Sequence, residues 1–494
     1  MNLYALIIPI LVPILCGIGV MIFPLCNKRI RNVLLETVVL INTFITLFIL
    51  THAPEGTLYL FSLGDKLVMT LRVDGLATFF AAIVSCLWPL ATLYAFEYME
   101  HDEKTDVFFG FYTITYGVTL GVAFSGNIVT MYLFYEALTM VTLPLVIHTM
   151  TNEAKRATRK YLYYMIGGTA FAFIGMVFYV LFSDGIEFVY GGNLNVSALS
   201  GFSDVIYFVY LMAFFGFGVK AAVFPFHGWL PEASVAPTPV TALLHAVAVV
   251  KSGVFAIMRF TYYCFGAQVL RGSWAQAVAL IFAMLTIVHA STMGVRETHF
   301  KRRMAYSTVS NLSYILLGVT MMSPLGFFAA MTHMLFHAVM KISGFFCVGA
   351  VMHRANKNYV YELDGIGQMM PVTMTAFIFA SCSIVGVPLF AGFVSKWEIA
   401  RALFDSGMVL SRVAVFVLLY SALMTAIYLL TVVVRAFFPE KEALCRIEQS
   451  DVIVSDPTWK MLLPLVIFSI AVVFAGICAE PILSMLEVVA NGVF

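Results

Sequence analysis

Charge is what this sequence has least of. Of its 494 residues, 11% are Asp, Glu, Lys or Arg against 61% hydrophobic ones, and the mean hydropathy is +0.95. Soluble globular domains carry about 25% charged residues, so composition alone excludes one. A formal net charge of +1 gives no reason to expect nucleic acid as a partner. The eight cysteines are Cys16, Cys26, Cys86, Cys264, Cys347, Cys382, Cys445 and Cys478, and no two are closer than ten residues. That spacing supports no iron–sulfur cluster, zinc site or disulfide framework, so this chain is expected to hold no cofactor and no redox centre. No polar stretch is long enough to make a soluble domain.

What is there instead is a succession of apolar runs of about 20 residues, each long enough to cross a hydrocarbon core of roughly 30 Å. Fourteen spans are expected, near 3–23, 32–51, 74–97, 107–124, 127–149, 161–182, 204–225, 238–264, 273–294, 304–321, 324–352, 369–400, 413–434 and 461–487. The fold class is therefore all-α and polytopic. The first span lacks a small-residue cleavage site and reads as a retained helix. Thr57 to Asp74 alternates loosely around Gly64-Asp65 and reads as a short hairpin. Odd-numbered connections hold 18 of the 28 Lys and Arg and even-numbered ones 5, which places both termini away from the cytoplasm. The basic connection 295–303 reads as a solvated face, and 435–460 as a solvated connector or docking surface.

Against that apolar background the ionisable residues stand out, because a charge at the centre of a span costs roughly 2.5–3.5 kcal/mol on insertion scales. Glu136 lies mid-way along span five, and Lys220 near the end of span seven is its expected partner. An acid within ~4–6 Å of a buried Lys favours its charged form, so such a pair acts as a proton switch. The alternatives are a protonated Glu136 bonded to a hydroxyl, and a Lys220 that snorkels to an interface. Pro225, Pro231, Pro237 and Pro239 then interrupt the sequence, and His227 to Glu232 reads as a helix break lining a cavity. In span eight His245 and Lys251 are six residues apart, about 9 Å along a helix, and mark successive levels of a path. A buried histidine held by one hydrogen bond is the plain alternative for His245.

In span eleven, His333, His337 and Lys341 fall at i, i+4 and i+8 on one helix face. Two histidines at this spacing can bind zinc. With a lysine as the third member and no neighbouring acid or Cys, a titratable ladder fits better. Span twelve breaks again at Pro388, with Lys396 eight residues further on. Two broken spans five helices apart, each with a nearby Lys, are the pattern of an inverted repeat.

Four segments carry a resemblance: GVKAAVFPFHGWLPEASVAPTPVTALLHA, FKRRMAYSTVSNLSYILLG, HMLFHAVMKISGFF, and ELDGIGQMMPVTM followed by GVPLFAGFVSKWEI. They resemble the signature segments of the antiporter-like membrane subunits shared by respiratory complex I, membrane-bound energy-converting hydrogenases, formate hydrogenlyase and multisubunit Na⁺/H⁺ antiporters. The resemblance covers about residues 70–435. It implies N-terminal helices in 1–100, inverted five-helix units in 105–265 and 272–434, and a loop and last helix in 435–494. It matches Glu136 and Lys220 to the family's ion pair, His245 and Lys251 to the connecting positions, His333, His337 and Lys341 to the relay, and Lys396 to its end. One departure is Thr298-His299-Phe300-Lys301-Arg302, which lacks the acid that usually precedes Lys-Arg. The long lateral helix of the family's largest member is not expected.

The function this implies is proton translocation along a mid-membrane Lys/His/Glu relay, inside a redox-driven complex with other membrane subunits and a peripheral iron–sulfur arm. The membrane implied is a cytoplasmic one of prokaryotic type. Membership of a multisubunit Na⁺/H⁺ antiporter is the alternative. H⁺ is favoured over Na⁺ because oxygen ligands are scarce along the path. A secondary transporter of an organic solute and a quinone-binding enzyme are the readings from other classes.

Overall fold

The computed structural model describes residues 2–24, 27–62, 64, 66–439 and 454–492. The helices before the first break are α1 (Leu3–Ile22), α2 (Lys28–Thr51), α3 (Gly75–Tyr98), α4 (Thr105–Ala123), α5 (Ile128–Val146), α6 (Asn152–Phe182) and α7 (Ser203–Lys220). Then come α8 (Thr238–Phe265), α9 (Trp274–Arg296), α10 (Phe300–Thr320) and α11 (Pro324–Ala355). After these come α12 (Pro371–Val385), α13 (Ala391–Asp405), α14 (Val409–Phe437), α15 (Trp459–Ile477) and α16 (Glu480–Ala490). Among the described residues twelve of these are long and apolar enough to span a membrane, and the protein is an integral, multi-pass membrane protein. The three short of that measure before α16 are α10, with Lys301, Arg302 and Arg303 in its first turn, and the half-helices α12 and α13.

Helix starts follow their sequence signals. Asn27, Asp74, Asn127, Thr151, Ser273 and Ser323 each accept a hydrogen bond from a backbone N–H in the first turn that follows. The hairpin forms as strands β1 (Leu58–Ser62) and β2 (Val68–Leu71), paired antiparallel; Asp65 of its turn lies outside the described residues. Burial sorts the helices into centre and rim. The most apolar window of α8 is wholly buried and that of α11 nearly so, whereas α1, α2, α14 and α15 present most of theirs outward. The two central helices are the ones that carry His245, Lys251, His333, His337 and Lys341.

Four expectations need correction. The last span is two elements, since α15 ends at Ile477 and the separate α16 follows. The break read over His227 to Glu232 is not wholly without helix, because Trp229–Ala233 closes into a short one. Span eight is not continuous: regular helix stops at Ala246 and resumes at Val249, so the 9 Å axial spacing of His245 and Lys251 does not hold. The connection 295–303 is not a fully solvated face, because Lys301 and Arg303 are buried. Residues 440–453 of the last long connection lie outside the described residues.

Candidate proton-relay site

Three helix breaks build the site. The first follows Lys220, the last residue of α7, where the chain turns through Ala222 at φ 55°. Trp229 Nε1 donates to Val219 O at 2.8 Å, a carbonyl that also accepts from Ala222 N at 3.1 Å, and so ties the short helix back to the end of α7. Gly253 of α8 lies against this end of α7. A Cβ there would meet Ala221 N at 2.6 Å and Lys220 Cβ at 2.8 Å, so only glycine lets the two helices approach this closely.

Lys220 is buried, and its Nζ donates to the carbonyl of Tyr135 while lying 3.3 Å from the centre of the Tyr135 ring. The expected Glu136–Lys220 ion pair is not formed. Among the described residues no contact within 4.0 Å joins them, and Glu136 Oε1 has no hydrogen-bond partner. The reason is directional. Successive residues on a helix point about 100° apart, and Lys220 approaches α5 on the side of Tyr135, not of Glu136.

The break in α8 separates His245 from Lys251. His245 Nε2 lies 3.5 Å from Ser234 Oγ, its ring packs 4.8 Å from that of Phe345, and its Nδ1 has no partner. Lys251 reaches across to α11, where its Nζ lies 2.6 Å from His337 Nδ1. The His337 and His333 rings follow one another at 5.9 Å, and His333 Nδ1 lies 2.9 Å from Ser395 Oγ on α13. Lys341, on the same face of α11, turns instead to α10, donating to Ser307 Oγ at 2.6 Å and to Met304 O at 3.3 Å.

The third break lies between α12 and α13. Gly386 ends α12 in the left-handed region at φ 92°, and Lys396 donates back to Ile384 O at 2.7 Å and Val385 O at 2.9 Å. A cation at the carbonyl end of a helix is favourably placed. The Lys396 Nζ also lies 5.2 Å from the centre of the Tyr314 ring, and that ring is 5.4 Å from His333. Contacts therefore link only some of the eight sequence-selected residues to one another. Lys220 and Glu136 sit beside Tyr135. Lys251, His337 and His333 form a chain ending near Lys396, and Lys341 and His245 flank it.

Sequence reasoning missed four members. Tyr135, Ser307, Tyr314 and Ser395 all contact the selected residues; Ser307 and Tyr314 lie in the quoted segment FKRRMAYSTVSNLSYILLG and Ser395 in GVPLFAGFVSKWEI, but none was singled out. Lys301 was missed as well; buried at the start of α10, it donates to Ala236 O at 2.6 Å, just before α8. His227, singled out beside Pro225, stands 4.6 Å from His289 of α9, ring to ring.

A family model described as the transmembrane region of NADH:quinone oxidoreductase and Mrp antiporter proteins matches residues 125–425. The chain belongs to this family. A second model, the N-terminus of complex I chain 5, matches residues 61–109. Among relatives of this antiporter-like protein, NADH-quinone oxidoreductase subunit N of Desulforudis audaxviator is 30% identical over 84% of this chain and 83% of its own length. The A/B subunit of a probable K⁺/H⁺ antiporter of Rhizobium meliloti is 32% identical over 66% of this chain, which covers 32% of that protein. The chain likewise spans 59% of the soybean chloroplast NAD(P)H-quinone oxidoreductase subunit 5, at 26% identity over 87% of this chain. The antiporter-like fold is shared with a chain of an archaeal membrane-bound sulfane sulfur reductase, at a TM-score of 0.84, 21% identity and coverage of 99% and 97%. A chain of the Mrp complex from a Dietzia species gives a TM-score of 0.84, 20% identity and the same coverage.

Proposed function

We propose that this antiporter-like protein moves protons through the membrane within a multisubunit, redox-driven complex. Its relay runs from Lys220 through Lys251, His337 and His333 to Lys396, with His245 and Lys341 as flanking groups. The observation that carries this reading is the 2.6 Å contact between Lys251 and His337, which joins two central helices with no carboxylate in the link. A lysine with three donors beside a histidine that can both give and take a proton is a transfer pair, not a fixed ion pair. Buried hydrogen-bonding capacity lies along the same line: Nε2 of His333 and of His337, Nδ1 of His245 and the hydroxyls of Ser252 and Ser343 have no partner among the described residues. Such groups are where ordered water binds, and water would bridge the steps that side chains do not.

Glu136, one residue from the Lys220 contact, would act as the regulator. Engaging Glu136 moves Lys220 off the Tyr135 carbonyl and favours its charged form; releasing it does the reverse. The two inverted units, 105–265 and 272–434, would then each supply a broken helix and a lysine at its break. Neighbouring membrane subunits, and a peripheral iron–sulfur arm that supplies the driving reaction, are the partners this reading requires. Both termini would face away from the cytoplasm of a prokaryotic-type membrane. The Rhizobium relative's name favours a second reading, in which a cation gradient takes the place of the redox reaction.

Replacing Lys220 by Met tests the relay. The expected outcome is an assembled complex that no longer acidifies the lumen of everted vesicles, and normal acidification by that variant would refute it.

A further inference from the structure

Two cavities outside the relay meet at Gly75 and Val489. The first, about 390 Å³, is almost wholly apolar and runs along α3 from Gly75 to Leu87, closed by Leu335 and Val339 of α11 and by one face of α16. The twelve rises between these two residues make about 18 Å of helix, close to one leaflet of a hydrocarbon core of roughly 30 Å. A seat for a membrane-crossing helix would continue through the other leaflet. The second cavity, about 250 Å³, opens at the hairpin end of the first and is lined by Arg72, Asp74, Tyr190 and Tyr263.

Of the polar side chains of that second cavity, Asp74 and Tyr190 are committed, whereas Arg72 and the Tyr263 hydroxyl are not. Both Asp74 oxygens bind Arg259, at 2.6 and 2.7 Å, and Tyr190 donates to Ala490 O at 2.5 Å. The half-buried Arg72 makes one long side-chain contact, Nη1 to Phe188 O at 3.5 Å, and among the described residues no carboxylate lies within 4.0 Å of it. A guanidinium with free donors at the mouth of an apolar groove is the partner of a phosphate.

We propose that these joined cavities bind one phospholipid from the leaflet on the hairpin side, its acyl chain between α3, α11 and α16 and its phosphodiester on Arg72. Leu335 and Val339 are each two residues, about 200°, from a relay histidine on α11. The acyl chain therefore packs the back of the helix whose front carries His333 and His337.

The test uses the intact complex in vesicles of phosphatidylethanolamine and phosphatidylglycerol doped with a phosphatidylglycerol whose acyl chain carries a diazirine. Illumination should label the peptides holding Cys86 of α3 and Met485 of α16 several-fold more than the one holding the outward-facing Phe44 of α2. Arg72→Gln, which leaves the groove intact, and Ala82→Trp, which fills it, should each bring that labelling down to the Phe44 level. Labelling in the wild type no stronger than at Phe44 would overturn the assignment. So would labelling that persists in both variants, or capture of a neighbouring protein of the complex by a cross-linker placed on Cys86.

Discussion

Lys251→Arg separates a proton carrier from a structural contact. Arginine keeps the positive charge and an N–H donor for His337 Nδ1, which now lies 2.6 Å from the lysine nitrogen. What it loses is the ability to give up a proton. A guanidinium is ordinarily more basic than an ammonium by at least about two pKa units, or about 3 kcal/mol. If the proton passes through residue 251, that difference raises the barrier and slows translocation by at least about 100-fold. Position 251 is fully buried, and the longer side chain adds about 1–3 kcal/mol of overpacking. Recovery of the whole complex on a native gel checks that this is tolerated. Lys251→Met is the companion variant. It leaves His337 Nδ1 unpaired at a cost of about 1–3 kcal/mol and should also stop transport. The assay is lumen acidification in everted vesicles, normalised to the turnover of the complex. An assembled Lys251→Arg complex that acidifies at the wild-type rate would refute the reasoning, because the proton would then bypass this lysine.

Asp74→Ala strips the bidentate partner from a fully buried Arg259, and breaking such a pair costs about 3–5 kcal/mol; a large drop in the detergent-solubilised melting temperature is expected, and an unchanged melt would contradict it. In Gly392→Ala, the new Cβ would overlap Ser383 O, so α13 must move from α12 and Lys396 must lose its carbonyls; transport should fall, and a fully active variant would show that this close approach is not needed. Outside the spans, burial and then the Arg302 and Lys301 charges hold the His299 imidazole below its ordinary 6.5. The unfolded loop then binds more protons than the folded one, so stabilisation is present above about pH 6.5 and declines as pH falls below it. Protection factors at Phe300 N and Val360 N, bonded to Asn358 O and Thr298 O at 2.9 Å, divide out the intrinsic slowing of exchange at lower pH and should fall in that range in the wild type and not in His299→Gln.

The sequence by itself determined the membrane class, the positions of most spans and the identity of the ionisable residues inside them. Each of these depends on sums over one helix. Twenty apolar residues cross a bilayer whatever their neighbours do, and a lysine in such a run is conspicuous without any knowledge of packing. Breaks were legible where proline or glycine caused them, as at Pro388 and Gly386. The break in α8 was not, because Val247 and Ala248 are neither proline nor glycine and carry no local signal for one.

Only the tertiary structure decided which side chains meet. Lys251 and His337 are 86 residues apart, and Arg259 and Asp74 are 185 apart. No local pattern records such pairs. The same limit explains the error over Lys301 and why the sequence did not show that Lys220 meets α5 at Tyr135. Whether a lysine in a basic stretch is solvated depends on where its helix starts relative to its neighbours, and whether an acid reaches a base depends on a rotation of about 100° between adjacent positions on one helix. Hydropathy is a property of a segment, whereas a hydrogen bond is a property of two.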